Sequence, residues 1–209
     1  MIVLDIEMSG LDLEKCGIWQ IAAFDMETRK EFLDEARIDD KDLIIREVLI
    51  VTGKTEKELR DKNKQTQKQL IEKFFKWIEK RKLKTFVCQN PNFDVAFLTI
   101  KANKYGLKIP FHYRVFDLHS IAQIIYYQKN KKFLIEEDHS GMSLRNILEM
   151  CGIKDERVLL KDGKLIKQGK PHNALEDAKL EAECFSRLLN GKNLFPEYAK
   201  FKIPDYLKK

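Results

Sequence analysis

The 209-residue sequence lacks long apolar runs, internal repeats and low-complexity linkers. Without about 18 consecutive apolar residues it has no membrane-spanning helix, and its amino terminus lacks the basic and apolar segments of a secretory signal. We therefore expect a soluble cytoplasmic protein with no membrane partner. We also expect one domain over residues 1–190, followed by a tail over residues 191–209 that packs on the domain or on a partner.

Cysteine is scarce, and its spacing excludes two kinds of stabilising site. Cys16, Cys88, Cys151 and Cys184 are dozens of residues apart, so they form none of the close pairs that a structural zinc site needs. A disulfide framework is not expected in the cytoplasm. We predict four reduced thiols in the core, because isolated cysteine behaves as a small buried hydrophobe.

Acidic residues are fewer than basic residues. With 39 Lys and Arg against 33 Asp and Glu, the formal net charge is +6, which favours an anionic partner such as nucleic acid or a lipid surface. The excess is local, since residues 60–84 hold ten basic and three acidic residues. These residues could form a solvated face or bind phosphates. The same two interpretations apply to a set of lysines close to His172, namely Lys161, Lys164, Lys167 and Lys170.

The order of apolar patterns predicts an α/β fold. Three strand-like runs come first, and strands then alternate with helices, which is typical of a mixed sheet flanked by helices. Strands are predicted at residues 1–7, 17–25, 30–38, 84–88 and 113–116, and helices at residues 66–78, 93–105, 121–127, 143–150 and 174–189. Residues 128–141 are predicted as a surface loop, and residues 158–166 as a hairpin turning at Asp162 and Gly163.

Two acids lie near the end of the first predicted strand. Asp5 and Glu7 are two residues apart, so they share one face of the strand. Like charges this close repel unless a cation lies between them, and carboxylates are the ligands that Mg²⁺ and Mn²⁺ prefer. Taken alone, the pair could equally be a polar strand end in solvent.

Two more acids stand at predicted helix starts. Asp94 falls in the first turn of a helix that follows the strand at residues 84–88, where an acid also complements the helix dipole. Asp177 lies about one turn into the last long helix, and His172 lies just before that helix. Asp177 and His172 can therefore face the same point in space.

Three motifs in this order resemble those of the DEDDh (DnaQ-like) 3′ to 5′ exonucleases. This superfamily includes the proofreading epsilon subunits of polymerases, ribonuclease T and oligoribonucleases. The motifs are Asp5-x-Glu7 followed by Gly10, Asn90 followed by Phe93-Asp94, and His172-x-Ala174-x-x-Asp177. Met8, Pro91 and Gln20 stand where the superfamily usually has Thr, Ala and an acid.

The resemblance implies a ribonuclease H-like fold with three antiparallel strands followed by parallel strands. It implies that Asp5, Glu7, Asp94 and Asp177 hold two divalent ions, Mg²⁺ or Mn²⁺, which clamp the attacking and leaving oxygens of an in-line displacement. His172 is implied as the general base. The predicted substrate-binding residues are Met8, Ser9, Leu11, Asn90 and Phe93.

The function so predicted is a metal-dependent 3′ to 5′ exonuclease. It would act on the 3′ ends of single-stranded DNA or RNA and release nucleoside 5′-monophosphates, in DNA repair or RNA processing. One alternative is an RNA-specific enzyme like oligoribonuclease or ribonuclease T, and another is a noncatalytic nucleic-acid-binding module with the same fold. A polymerase partner and self-association both stay open. Asp117, at another strand end, is expected either to be structural or to support the site without binding a metal ion itself.

Overall fold

A five-stranded sheet forms the centre of the computed structural model, which describes residues 1–161 and 163–208. Its strands are β1 (Ile2–Met8), β2 (Ile18–Asp25), β3 (Glu31–Glu35), β4 (Phe86–Cys88) and β5 (Phe116–Asp117). The α-helices are α1 (Arg46–Thr52), α2 (Glu56–Leu59), α3 (Gln67–Glu79), α4 (Pro91–Lys104), α5 (Leu118–Asn130), α6 (Leu144–Met150) and α7 (Ala174–Asn190). Within the described residues, no helix is both long and apolar enough to cross a membrane.

The strand order is β3-β2-β1-β4-β5. Strands β1, β2 and β3 pair in antiparallel fashion, whereas β4 runs parallel to β1 and β5 runs parallel to β4. The predicted mixed sheet, with antiparallel strands first and parallel strands afterwards, is confirmed.

Alternation along β1 assigns its side chains to two cores. Ile2, Leu4 and Ile6 belong to the core formed with α3 and α4. Val3 belongs to the opposite core, formed with α5, α6 and α7. Because successive side chains point to opposite faces of a sheet, the two acids of β1 lie on the Val3 side and face α7.

Helix α3 lies where the apolar period predicted a helix. Thr66 caps its start and exchanges hydrogen bonds with Gln69 in a capping box. Helix α5 begins three residues earlier than predicted, because the Asp117 carboxylate caps it by accepting hydrogen bonds from His119 N and Ser120 N. Asp117 is therefore structural here, as expected. Strand β5 has two residues rather than the predicted four, since pairing with β4 starts at Phe116.

The prediction of a loop over residues 128–141 was wrong in part. Helix α5 continues to Asn130, and a small hairpin follows, formed by β6 (Ile135–Glu136) and β7 (His139–Ser140). The Gln123 side chain holds this hairpin on α5 by hydrogen bonds with the backbone of Leu134. The sequence did not predict this hairpin, because strands of two residues are too short to show an alternation of apolar and polar residues.

A second hairpin lies where the turn signal predicted one. Strands β8 (Leu159–Lys161) and β9 (Lys164–Lys167) pair in antiparallel fashion. Gly163 has a φ of +69°, a conformation that glycine adopts without a steric cost. Asp162, the other residue of the predicted turn, lies outside the described residues.

The four cysteines are buried free thiols in the described structure, as predicted. The segment after α7 packs on the α7 side of the sheet, where Phe195 and Leu207 join the core. Docking of this tail on a polymerase or on a second copy stays a prediction.

Candidate metal centre

The first two acids of the site come from β1. Register with β2 places Ala22 opposite Asp5 and Gln20 opposite Glu7, and both acids are half-buried. Gln20 also fixes the start of α7, because its Oε1 accepts a hydrogen bond from Ala174 N at 2.8 Å. The amide at this position, where the superfamily usually has an acid, therefore links β2 to the helix that carries Asp177.

Asp94 reaches the same strand from α4. The chain leaves β4 and enters the helix through Asn90, which has a φ of +62°, and Pro91 occupies the first turn. Asp94 is 7% exposed, and its Oδ1 accepts a hydrogen bond from Ile6 N at 3.0 Å. This bond anchors the Asp94 carboxylate on β1 between the positions of Asp5 and Glu7.

His172 and Asp177 lie together at the start of α7. Asn173 caps this helix by accepting from Leu175 N and Glu176 N, and His172 N donates to Val51 O at 2.8 Å. The imidazole is held between two oxygens, with Nδ1 3.2 Å from Asp177 Oδ2 and Nε2 3.1 Å from Val158 O.

The ligand atoms of three predicted site residues fit a cation. One atom from each of Glu7, His172 and Asp177 lies within 4.8 Å of the other two. Asp177 Oδ1 is buried and has no hydrogen-bond partner among the described residues. An ionised oxygen in that position is costly unless a cation or a donor meets it, so the donor set fits a hard divalent ion.

Two site residues were missed by the sequence prediction. Glu181, one helical turn after Asp177, is 2% exposed, and its Oε2 accepts from Gln89 N at 3.1 Å. Arg157 places Nη1 3.2 Å from Asp177 Oδ2 and Nη2 3.0 Å from Asp155 Oδ2. The i, i+4 spacing to Asp177 could have identified Glu181. Arg157, twenty residues before Asp177, has no such local signal.

Burial raises the pKa values of the site carboxylates, and for three of them the charges of neighbouring acids add to this effect. Burial and the charges of Asp94 and Glu181 raise the pKa of Asp5 well above its ordinary value, and burial with the charges of Asp94 and Asp177 does the same to the pKa of Glu181. Burial, with the charge of Asp177, raises the pKa of Glu7 to about 7. Burial also raises the pKa of Asp94 to about 7, against its hydrogen bond from Ile6 N. Either protons or cations must offset this charge near neutral pH.

The pKa of His172 is also raised, but for a histidine this favours the charged form. Burial disfavours the imidazolium, but the hydrogen bond and charge of Asp177 outweigh burial and raise the pKa of His172. The Asp177 carboxylate therefore stabilises a protonated His172 in the metal-free site, although Arg157 shares the same oxygen.

The five predicted substrate-binding residues occupy different environments. Ser9 is buried, and its hydroxyl donates to Leu43 O and accepts from Gly17 N, so it ties two loops together. Leu11 is 67% exposed, whereas Met8 and Phe93 are half-buried. Asn90 N donates to Asp117 Oδ1 at 3.3 Å. Their contact with substrate stays a prediction.

A cavity of about 940 Å³ opens over the carboxylates. Its walls include the β6–β7 hairpin, the start of α6 and the β8–β9 hairpin, and its floor holds Asp5, Glu7, Asp177 and Glu181. None of the five predicted substrate-binding residues is among the described residues that line it. The β8–β9 hairpin contributes Lys161, which makes no ion pair with any residue that the structure describes.

The basic segment over residues 60–84 lies elsewhere. Lys64 pairs with Glu35 at 2.7 Å, and Lys73 pairs with Asp34 at 3.0 Å. Two of its ten basic side chains are therefore paired with β3, and none of the ten lines the cavity.

This mixed sheet, with acids gathered at the carboxyl end of its central strand, defines an α/β protein of the ribonuclease H-like class. The chain belongs to the RNase_T family of exonucleases, whose profile matches residues 2–185. The predicted place in the DEDDh (DnaQ-like) superfamily is confirmed. No curated protein matches the sequence.

Solved structures share the fold at low sequence identity. The nuclease domain of 3'hExo, a DEDDh family member bound to rAMP, has a TM-score of 0.61 and 18% identity, over 98% of this chain and 95% of that chain. The cell-death related nuclease CRN-4 has a TM-score of 0.66 and 16% identity, over 92% of this chain and 64% of that chain. E. coli exonuclease I in complex with a dA16 oligonucleotide has a TM-score of 0.66 and 15% identity, over 91% of this chain and 40% of its own. The chain thus spans well under half of exonuclease I.

Proposed function

We propose that the protein is a metal-dependent 3′ to 5′ exonuclease that acts on single-stranded nucleic acid and releases nucleoside 5′-monophosphates. One observation carries the proposal. The acids Asp5, Glu7 and Asp177 line one cavity together with His172, Asp94 reaches β1 between Asp5 and Glu7, and an Asp177 oxygen is buried without a hydrogen-bond partner among the described residues.

The donor set favours two Mg²⁺ or Mn²⁺ ions. Carboxylates are hard ligands, and four of them offset much of the charge of two divalent ions. When bound, such ions would polarise the scissile phosphoryl group and activate water. A zinc-bound E. coli exonuclease I–ssDNA complex is among the solved structures with this fold, which supports a divalent cation here too.

His172 has the geometry of a general base. Its Nε2 faces the carbonyl oxygen of Val158, which favours the tautomer that carries the proton on Nε2 and leaves the lone pair on Nδ1. Nδ1 faces Asp177, so it can accept a proton once a metal ion binds the Asp177 carboxylate. Loss of that carboxylate partner also lowers the imidazole pKa toward the range that suits a base near neutral pH.

The cavity and the solved relatives support a nucleic acid substrate. The relatives include complexes with the oligonucleotides dA16 and dT13 and a domain bound to rAMP. Lys161, in the cavity wall, can contact a phosphate, while exposed Leu11 and half-buried Phe93 offer apolar surface for a terminal base.

Digestion of matched DNA and RNA oligonucleotides tests this function. Single strands carrying a 5′ label should shorten by one nucleotide at a time with Mg²⁺ or Mn²⁺, and a 3′ label should appear at once as a mononucleotide. Chelator should stop both reactions. The ratio of DNA to RNA rates shows whether a 2′-hydroxyl is required. If all substrates bind but none is cut, the protein is a noncatalytic binding module and the proposal is wrong.

A further inference from the structure

Glu181 is a fifth carboxylate at the floor of the cavity, outside the three sequence motifs. It is 2% exposed and lies one turn beyond Asp177 on α7. Its charge acts on Asp5, and the charges of Asp94 and Asp177 act on Glu181. Arg157 is the cation that faces this group, and it is already paired with Asp155 and Asp177. Glu181 is therefore a fifth carboxyl group close to the acids of the three motifs.

Packing alone does not account for a carboxylate at this position. The one hydrogen bond that the Glu181 side chain makes with the described residues is from Gln89 N to Oε2. A glutamine could accept that bond equally well, at the same volume and without repelling its neighbours. Fixed like charges of this kind persist where a bound cation offsets them.

An independent observation, on the neighbouring turn of α7, is a buried oxygen that lacks a partner in the described part of the chain. Asp177 Oδ1 is buried, has no hydrogen-bond partner among the described residues and belongs to the neighbouring turn of the same helix. Glu181 lines the same cavity, and of its two carboxylate oxygens only Oε2 accepts a hydrogen bond from a residue that the structure describes. The Oε1 atom is therefore available to a cation that also meets Asp177 Oδ1.

We propose that Glu181 takes part in holding the divalent ions of the site, beside Asp5, Asp94 and Asp177, so that five carboxylates rather than four serve the metals. This inference rests on the proposed function. It predicts a site with higher affinity for divalent cations than four acids and a histidine would provide. If Glu181 only accepted the hydrogen bond from Gln89 N, its replacement by glutamine would leave the affinity for divalent cations unchanged.

Calorimetric titration of Mn²⁺ into the full chain tests the proposal without any nuclease assay. Glu181→Gln keeps the side-chain volume and the acceptor for Gln89 N but removes the charge. We expect its Mn²⁺ affinity to fall by about tenfold to a hundredfold, the range seen for supporting groups of metal sites. Its melting temperature without metal should rise, because repulsion in the cluster is relieved.

Two more variants keep the test decisive. Glu176→Gln removes an exposed acid from the same helix and should bind Mn²⁺ as the wild type does. Glu181→Met removes both the charge and the acceptor, and it should lose Mn²⁺ affinity at least as strongly as the Gln variant. Mn²⁺ affinities within twofold of wild type in both Glu181 variants would overturn the inference. The proposed function would fail separately, by absence of cleavage in the wild type.

Discussion

Helix α7 carries two buried glutamates, two residues apart, whose surroundings are opposite. Glu183 accepts from Arg187 Nε at 2.7 Å and from the backbone N–H groups of Leu194 and Phe195. Arg187 in turn donates to Cys151 O and Tyr198 O. Glu181 instead faces three other acids and one backbone N–H group. Both glutamates are buried. Glu183 is paired with Arg187, whereas Glu181 lies among other carboxyl groups.

The difference separates a structural site from a candidate functional one. The Glu183–Arg187 pair joins the segment after α7 to the body of the domain, and each of its charges has partners. The carboxylate cluster destabilises the fold unless protons or cations enter it, and such uncompensated features concentrate at functional sites. Changes on the two sides of α7 should therefore have different consequences.

The largest expected effect is on the cluster side. Asp94→Asn keeps the acceptor for Ile6 N and removes one charge, so the fold should remain and the melting temperature should stay or rise. Cleavage should drop by at least about a hundredfold, since even groups that only support a metal site are worth that much. Initial rates on a labelled oligonucleotide, with circular dichroism on the same sample, check this. Metal-dependent cleavage at wild-type rates would exclude Asp94 from the site.

Replacement of the base should have the next largest effect. His172→Ala removes a general base worth about 10² to 10⁴ in rate, and it should lower kcat by that range. The four carboxylates of the motifs remain, so calorimetry should still detect Mn²⁺ binding. A His172→Ala variant that keeps its kcat would show that another group, such as Arg157 or Glu181, directs the proton transfer.

Changes at the Glu183–Arg187 ion pair should lower the free energy of unfolding and leave the cleavage rate unchanged. Glu183→Gln leaves the buried Arg187 uncompensated, which costs about 3–5 kcal/mol of unfolding free energy. Urea unfolding measures the loss, and the cleavage rate per folded molecule should be unchanged. Replacing both residues, as Glu183→Leu with Arg187→Met, should cost less than the single change. A single variant as stable as wild type would contradict the contrast drawn between the two sides.

The smallest effect is a pH dependence of the metal-free protein. Glu7 and Asp94 have pKa values raised to about 7, so each binds more protons folded than unfolded between about pH 4 and pH 7. The free energy of unfolding should then fall as the pH rises through this window, and the raised pKa of His172 acts in the same direction. Melting temperatures at pH 5.5 and 8 in chelator should show the fall. Added Mn²⁺ should stabilise more at pH 8, and Asp94→Asn should flatten the slope.

Local patterns predicted the elements that position the site. Alternation in β1 placed Asp5 and Glu7 on one face, and the apolar period over residues 66–78 predicted α3 to within one residue at each end. The motif spacing assigned Asp94 and Asp177 to helix starts, where the structure has them. These features depend on neighbours a few residues away, which a sequence records directly.

The missed features depend on contacts between distant segments. Glu181 lies in the middle of a helix where an acid usually faces solvent, and its proximity to Asp94 follows from packing of α7 on the sheet. Arg157 reaches Asp177 across twenty residues and the β8–β9 hairpin. The β6–β7 hairpin depends on Gln123, and α5 depends on the cap at Asp117. No periodicity encodes such tertiary contacts.

Divalent cations held by the acids of β1, α4 and α7 are central to the proposed function. Calorimetric titration of Mn²⁺ into the wild type and into Asp177→Asn at pH 7.5 tests it most directly. We predict binding to the wild type, about two ions per chain, and a large loss of affinity in Asp177→Asn while the variant stays folded. Absence of Mn²⁺ binding to the wild type, or equal affinity in the variant, would contradict it.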